Sequence, residues 1–350
     1  MDQGTILIVG AGIFGVSTAY RLAQRLLNPS RIILLDRAAP PFNTIAASAD
    51  INKAIEARQT LPFFQTQNQN PGADPNAGVY QQSGWIAMDE KGSDEDEARR
   101  AWGGVLERTD YAPFGSYYFN RSAGWVDAGL ALKAMLREAM ELGIRYETGE
   151  ALRVLFLEGA GVQGVEIGAC LGQDDRVENQ ASAAGVCVAH FRLRMRRGRS
   201  PPHSRTRSEP QPAMRSPGLQ EDLIAALPAR IPQLLDNDRK PDYYRLCWDA
   251  ISASQHPLIT RHPDPRLANL YFAVGGSFHF YKFLPTIGKY VANILEGIGN
   301  GPAKDKAWSW KSVKETGRGV HESLVPKREF RGFLKQISQT VSNGESLYDV

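Results

Sequence analysis

The chain has 350 residues, 42% hydrophobic and 23% charged, with a formal net charge of +3. That suits about two globular domains and excludes global disorder, and so small a net charge makes no demand for a nucleic acid or an anionic membrane. No apolar run approaches the ~18 residues of a membrane span. Ile6-Leu7-Ile8-Val9 is too short for a signal-peptide core, and Cys170, Cys187 and Cys247 are too few for a disulfide framework, so the expected compartment is reducing and cytoplasmic.

In chain order, residues 5–10 are a short apolar, β-rich run and predict a buried strand. Residues 11–27 carry Val16, Ala19, Tyr20, Ala23 and Leu26 at helical spacing, and Asn28-Pro29-Ser30 ends that helix. Residues 31–35 predict a second buried strand ending at Asp36, which completes a βαβ unit opening a parallel sheet. A helix is expected over 46–58, a loop over 65–76 and an exposed acidic stretch over 89–98. Residues 126–142 form a strongly amphipathic helix capped by Gly143. Strands are expected at 144–147, 152–157, 162–167, 185–189 and 270–274. Helices are expected at 219–235, interrupted by Pro228 and Pro232, and at 285–295, before a polar, weakly structured tail from Gly301. There is no internal repeat.

The small net charge hides a local anomaly. Residues 191–217 hold eight arginines, no lysine and one acid, Glu209, so this segment is +7 and the rest of the chain −4. Rich in Pro, Ser and Arg and without apolar periodicity, it reads as a disordered insert with a solvated surface. An Arg/Ser tract can also bind RNA electrostatically, a role that would show as steep salt dependence.

The chemistry-bearing motif is Gly10-Ala11-Gly12-Ile13-Phe14-Gly15, a G-x-G-x-x-G between strand and helix, with Asp36 closing the next strand. Gly10 permits the tight turn, Gly12 lets backbone approach a pyrophosphate, and Gly15 allows close helix–strand packing. The pyrophosphate then meets free N–H groups and the helix dipole, and Asp36 can accept from ribose hydroxyls. The motif alone does not separate FAD from a nicotinamide dinucleotide.

Four stretches taken together resemble, in order and spacing, the fungal branch of the sarcosine oxidase family, which includes monomeric sarcosine oxidase, fructosyl amino acid oxidases (amadoriases) and saccharopine or pipecolate oxidases. They are ILIVGAGIFGVSTAYRLAQR with LLDR; SADINK at 48–53; GWVDAGLALKAMLREAMELGIRYETGE at 124–150; and YYRLCWDAISASQHPLITRHP at 243–263 followed by LYFAVGGSFHFYKFLPTIGKYVANILEG at 270–297. The resemblance implies an α/β fold: an FAD/NAD(P)-binding Rossmann-like domain with a second, antiparallel-sheet substrate domain that is incomplete here. It implies a discontinuous flavin domain from 1–60, 143–190 and 243–297, a substrate or cap domain from 61–142 and 219–242, the insert at 191–218 and a tail at 301–350.

The resemblance further implies FAD as cofactor, bound by Gly10, Gly12, Ile13, Phe14, Gly15, Asp36, Arg37, Ser48, Lys53, Cys247 and Lys282. Asn52 is a further candidate contact. Cys247, in the family's R-x-C-W pattern after Arg245, corresponds to the cysteine that carries the flavin through a thioether. Lys282 corresponds to a lysine that hydrogen-bonds near the ring and can stabilise negative charge there. Lys53 corresponds to a basic position over the flavin that aids the reaction with oxygen or binds substrate. His279 matches a frequent family histidine, and Gly275-Gly276 let backbone come close to the ring. The implied activity is oxidation of a secondary amine or N-substituted amino acid, with imine hydrolysis and reduction of O2 to hydrogen peroxide. The partners are a small-molecule amine and O2, with no nucleic acid and no membrane, and the protein acts as a monomer.

The pattern also breaks. The strand at 186–189 matches the family up to Ala189, the match resumes near Gln220, and most of the substrate-binding sheet that the family places between is missing. An altered reading frame or mis-spliced exon would explain this, as would real divergence. Glu56 stands where the family often has a basic residue for a substrate carboxylate, with Arg58 nearby, and Phe280 stands where a small residue is usual. Both point away from an ordinary sarcosine-like or fructosyl amino acid substrate. The final Tyr348-Asp349-Val350 is not the peroxisomal S-K-L-like tripeptide frequent in the family. Beside the oxidase, other readings stay open: a catalytically impaired flavin-binding remnant, a tailoring oxidase of a specialised metabolite, or a nicotinamide enzyme using the same fingerprint.

Overall fold

The computed structural model of the chain describes residues 4–39, 48, 53–55, 60–67, 79–89, 96, 99, 100, 104, 106–112, 116–151, 153–157, 161–166, 182–191, 217–252 and 254–311. These divide into two compact units. One draws on Met1–Lys53, Asp127–Ala184 and Trp248–Val325, the other on Ala54–Val126 and Gly185–Cys247.

The first unit opens with the expected βαβ hand. Strand β1 (Ile6–Val9) pairs parallel with β2 (Ile32–Asp36), Ile6 opposite Ile32 and Val9 opposite Leu35, and β2 pairs parallel with β8 (Arg145–Thr148). Helix α1 (Ile13–Arg25) buries Val16, Ala19, Leu22 and Ala23, the i, i+3, i+6, i+7 stripe of a core-facing helix. Helix α3 (Ala128–Glu141) begins where the Asp127 side chain accepts from the Leu130 N–H at 2.9 Å. It buries Ala131, Leu132, Met135 and Ala139, and the chain leaves through Gly143 at φ +105°.

The expectation of a fully buried β1 needs correction. Ile32 and Leu34 are fully buried, but Leu7 is 37% and Val9 53% exposed, because β1 is covered on one face only and its apolar run alternates in burial.

The C-terminal part of this unit is built on α1. Strands β13 (Leu258–Arg261) and β14 (Tyr271–Val274) form an antiparallel pair, Leu258 opposite Val274. Helix α5 (Leu284–Leu295) approaches α1 so closely that a Cβ on Gly288 would lie 2.0 Å from the Ser17 carbonyl oxygen, and the Gly288 N–H donates to Ser17 Oγ at 2.9 Å. Arg25 pairs with Glu296 at 2.9 Å across the same contact. Ile259, Ile287, Val291 and Trp308 close the core beside it, Trp308 from α6 (Pro302–Trp308). That helix corrects the expectation of a weakly structured tail at its start. Strands β9 (Arg153–Leu157) and β10 (Gly161–Glu166) form an antiparallel hairpin.

In the second unit, β4 (Tyr80–Gln81) pairs antiparallel with β7 (Gly124–Val126), and β5 (Trp85–Asp89) with β6 (Ser116–Asn120). Helix α2 (Leu61–Gln67) shows that 65–67 are helical, where a loop was expected; Pro62 sits in its first turn, where a missing N–H costs nothing. Helix α4 (Pro217–Arg230) carries Pro228 internally, and Arg108 forks onto Asp236 with two 3.0 Å bonds. Strand β11 (Ser182–His190) lies beside β12 (Tyr243–Ile251). Residues 53–55, expected within a helix, form strand β3 (Lys53–Ile55), hydrogen-bonded in the sheet order β3-β7-β4. Pairing with a distant strand here overrides a local helical pattern. Among the described residues no helix is long and apolar enough to cross a membrane, and no His/Cys/Asp/Glu group could hold a metal ion. The Arg-rich residues 192–216, most of 46–58 and the tail beyond Lys311 lie outside the described residues.

Candidate functional site

The glycine turn is built as its motif requires. The Gly10 N–H donates to the Leu35 carbonyl at 2.7 Å, tying the turn to the end of β2, and Gly10 takes φ +97°, which an L side chain rarely adopts. A Cβ on Gly15 would lie 1.8 Å from the Gly10 oxygen, so helix and turn meet backbone to backbone. Gly12 differs from both. Its φ is −77°, and the nearest atom to a Cβ there is Ser48 Oγ at 3.9 Å. Neither backbone conformation nor packing demands a glycine at 12, and α1 has no side-chain cap at this N-cap residue. The open face over Gly12 and the uncapped N–H groups behind it fit an anionic dinucleotide brought against backbone.

Asp36 is already engaged with that turn. Its Oδ2 accepts from the Ala11 N–H at 2.7 Å and its Oδ1 from the Ala38 N–H at 3.0 Å. A carboxylate has about four acceptor positions, so lone pairs remain on both oxygens. The Tyr146 hydroxyl donates to the Ala38 carbonyl at 2.6 Å, and burial, reinforced by the Asp36 charge, pushes its phenol up to about 12. Arg37 is exposed, Ile13 and Phe14 are half-buried in the first turn of α1, and Ser48 is buried beside Gly12.

A second cluster gathers beside the start of α1. Phe280 stacks on Phe14 with ring centroids 6.2 Å apart and planes 21° apart. A Cβ on Gly276 would lie 3.3 Å from Phe280 Cβ, 3.7 Å from Phe14 Cε2 and 3.8 Å from Asp249 Oδ1. The Asp249 carboxylate lies in the electrostatic reach of Lys53 and His279. Burial pushes its pKa up, opposed by two backbone N–H groups and by Lys53 and His279. The 276–280 segment is thus brought against Phe14 through Gly276 and Phe280, and Asp249 beside it lies in the electrostatic reach of Lys53 and His279. Lys282 sits in the 3-10 turn Tyr281–Phe283, half-buried, its Nζ 5.8 Å from the Phe283 ring centre.

Asp249 is the residue that sequence reasoning left without a role; a lone aspartate in a strand carries no local signature. Cys247, the last residue of the second unit's part of β12, is 3% exposed and carries no disulfide. Asn52, Glu56 and Arg58 lie outside the described residues.

Comparisons with known proteins bear on the family and the fold. The family model described as FAD dependent oxidoreductase matches residues 5–209. L-saccharopine oxidase of Schizosaccharomyces pombe is 22% identical over 410 residues, covering 88% of this chain and 93% of that protein. The crystal structure of the deglycating fructosamine oxidase of Aspergillus fumigatus (Amadoriase II) superposes with TM-score 0.68 at 24% identity, covering 91% of each chain. The fructosyl peptide oxidase of E. terrenum superposes with TM-score 0.63 at 19% identity, covering 94% of this chain and 98% of the other. At these identities the structural matches establish the fold.

Proposed function

The chain belongs to the FAD-dependent oxidoreductase family, and from that premise we propose that it is an amine oxidase acting on the C–N bond of a secondary amine or N-substituted amino acid. The observation that carries the reading is the Gly12 face, which has no reason in the fold to be bare. Relatives named for saccharopine and fructosamine support a C–N substrate.

In this reading Gly10, Gly12, Ile13, Phe14 and Gly15 take the diphosphate, and Asp36, Arg37 and Ser48 take the adenosine side. The chemistry supplied by bound FAD is two-electron acceptance, discharged to O2 as hydrogen peroxide. The substrate's C–H and N–H leave as two electrons and two protons, and the imine so formed adds water to give a carbonyl and a smaller amine. Lys53 and Lys282 supply positive charge at the reacting end, where negative charge develops. Cys247 carries the cofactor through a thioether; its buried thiol within Arg245-Leu246-Cys247-Trp248 supports the assignment. The protein works as a cytoplasmic monomer on a small-molecule amine and O2.

The test is to purify the chain, read its absorbance near ~450 nm and screen N-alkyl, cyclic and glycated amino acids for peroxide release. Bound flavin with peroxide from one class is the expected result; a colourless protein or silence across all three classes overturns the reading. For the thioether, acid denaturation leaves the yellow colour on the polypeptide and Cys247→Ser moves it to the supernatant.

A second reading, a flavin-binding remnant with impaired catalysis, has its own observation. The 410-residue alignment uses 88% of a 350-residue chain, about 308 residues, so about 100 aligned positions have no counterpart here. Tight FAD binding without peroxide from any substrate class favours it.

A further inference from the structure

The segment from Gly275 to Phe278 is held in an unusual conformation. Gly275 has φ +82°, and the next two non-glycine residues, Ser277 and Phe278, have φ +49° and +65°. A bulky residue in the left-handed region is strained and persists only where its surroundings over-determine it. The ring at 278 is 36% exposed, so burial of that side chain does not force the conformation.

Hydrogen bonds supply the constraint. The Phe278 N–H donates to Asp249 Oδ2 at 2.5 Å, and the other carboxylate oxygen accepts from the Ala250 N–H at 2.7 Å. The Ser277 N–H donates to the Ala250 carbonyl at 3.1 Å, and the Ser252 N–H donates to Ser277 Oγ at 3.3 Å. The strained pair is thus stitched to the end of β12, with Asp249 as the charged stitch. From there the chain runs two residues to Phe280, which stacks on Phe14 inside the glycine fingerprint.

We propose that Asp249 is a positioning residue: its carboxylate holds the left-handed Ser277–Phe278 turn and thereby seats Phe280 against Phe14 beside the cofactor turn. The carboxylate is suited to the task because a hydrogen bond to an ionised acceptor outlasts a neutral one, and because Lys53 and His279 offset its charge. The cofactor half of this proposal rests on the flavin-oxidase reading; the conformational half does not.

The test uses the full chain as purified. Amide hydrogen-exchange protection is measured across 275–280 for Asp249→Ala, Asp249→Asn, Phe278→Gly and the Asp249→Ala/Phe278→Gly double variant, alongside retained FAD and its visible spectrum. Asp249→Ala lowers protection at 278 by about tenfold or more, the loss expected for a bond to a charged acceptor. Asp249→Asn, which keeps one acceptor oxygen, loses only about threefold. In the double variant glycine adopts the left-handed turn unaided, so protection of the Ser277 N–H, whose acceptor is the Ala250 carbonyl, and flavin retention return toward the wild-type values, while the 278 N–H, still without its acceptor, stays unprotected. A general stabilising role for Asp249 predicts no rescue by Phe278→Gly, and that result overturns the proposal, as does unchanged protection in Asp249→Ala. Should Asp249→Ala not fold, Asp249→Asn is compared with Asp249→Asn/Phe278→Gly; equal protection in the two sinks the idea. A wild-type chain without flavin would refute the oxidase reading and leave the exchange result to judge the turn by itself.

Discussion

Replacing the three fingerprint glycines one at a time separates what the fold needs from what a ligand needs. At Gly15 an added Cβ lies 1.8 Å from the Gly10 oxygen and 3.0 Å from its carbon, both backbone atoms that no rotamer change can move. Contacts under 3.0 Å are essentially never seen, so the helix start and the turn must separate by more than 1.2 Å, against the 2.7 Å bond from Gly10 to Leu35. Overpacking of this kind costs about 3 kcal/mol, the upper end of the usual range, which for a unit of this size lowers Tm by about 6–12 °C. At Gly12 the nearest atom is 3.9 Å away and φ is −77°, so Gly12→Ala costs the empty protein less than about 1 kcal/mol. The methyl group would then occupy the space over which a diphosphate approaches, and FAD affinity falls by about tenfold to 100-fold. The assay is differential scanning fluorimetry of flavin-free protein together with flavin content after gel filtration. Gly12→Ala protein that keeps full flavin at wild-type affinity, or that melts as early as Gly15→Ala, would refute the reasoning.

Other expectations follow from named contacts. Gly288→Ala forces a Cβ to within 2.0 Å of the Ser17 oxygen and 2.5 Å of the Thr18 nitrogen, so α5 is driven from α1 at a cost of about 3 kcal/mol or more; a wild-type melting curve would contradict this. Tyr281→Phe removes the donor to the buried Ala128 carbonyl and costs about 1–2 kcal/mol in urea titrations, and no change in midpoint would mean water reaches that oxygen. The phenols of Tyr20, Tyr80, Tyr146 and Tyr281 are all raised above the ordinary 10.0, chiefly by burial. The fold therefore favours their neutral forms: the stabilisation is complete below pH 10, where the unfolded chain is also neutral, and is lost as pH rises toward about 12, the Tyr146 value. Tm measured from about pH 9 to 11.5 should fall, and Tyr146→Phe should flatten the decline; a level profile would count against it.

What could be read in advance was local. The β1–α1–β2 hand with its glycine turn and Asp36 announces itself over residues 6–36, and the α3 helix over residues 126–142, through apolar periodicity and motif spacing. Strands β12 and β13 went unread because Tyr243–Ile251 mixes Arg, Asp and aromatic residues without alternation, and its strand character comes from β11, more than 50 positions earlier. Lys53–Ile55 looked helical for the same reason in reverse: its partner is β7, fixed only by the tertiary fold. In the candidate site, Lys53, His279 and Lys282 were reached through family resemblance rather than spacing. Asp249 was missed altogether, because its significance lies in a turn 29 residues downstream whose strain no local pattern reveals.

The embrace of α1 by α5 bears on how the protein is made. The first helix presents one face to a segment 271 residues later, with Gly288 bonded to Ser17 and Arg25 to Glu296. A ribosome that has released only the amino-terminal half has therefore left the α1 face carrying Ser17 and Arg25 without its mate. Nascent chains should need chaperone shelter until residue 295 or so clears the exit tunnel, and stop-codon alleles upstream of α5 should yield insoluble, cofactor-free fragments even though the complete nucleotide fingerprint has been translated.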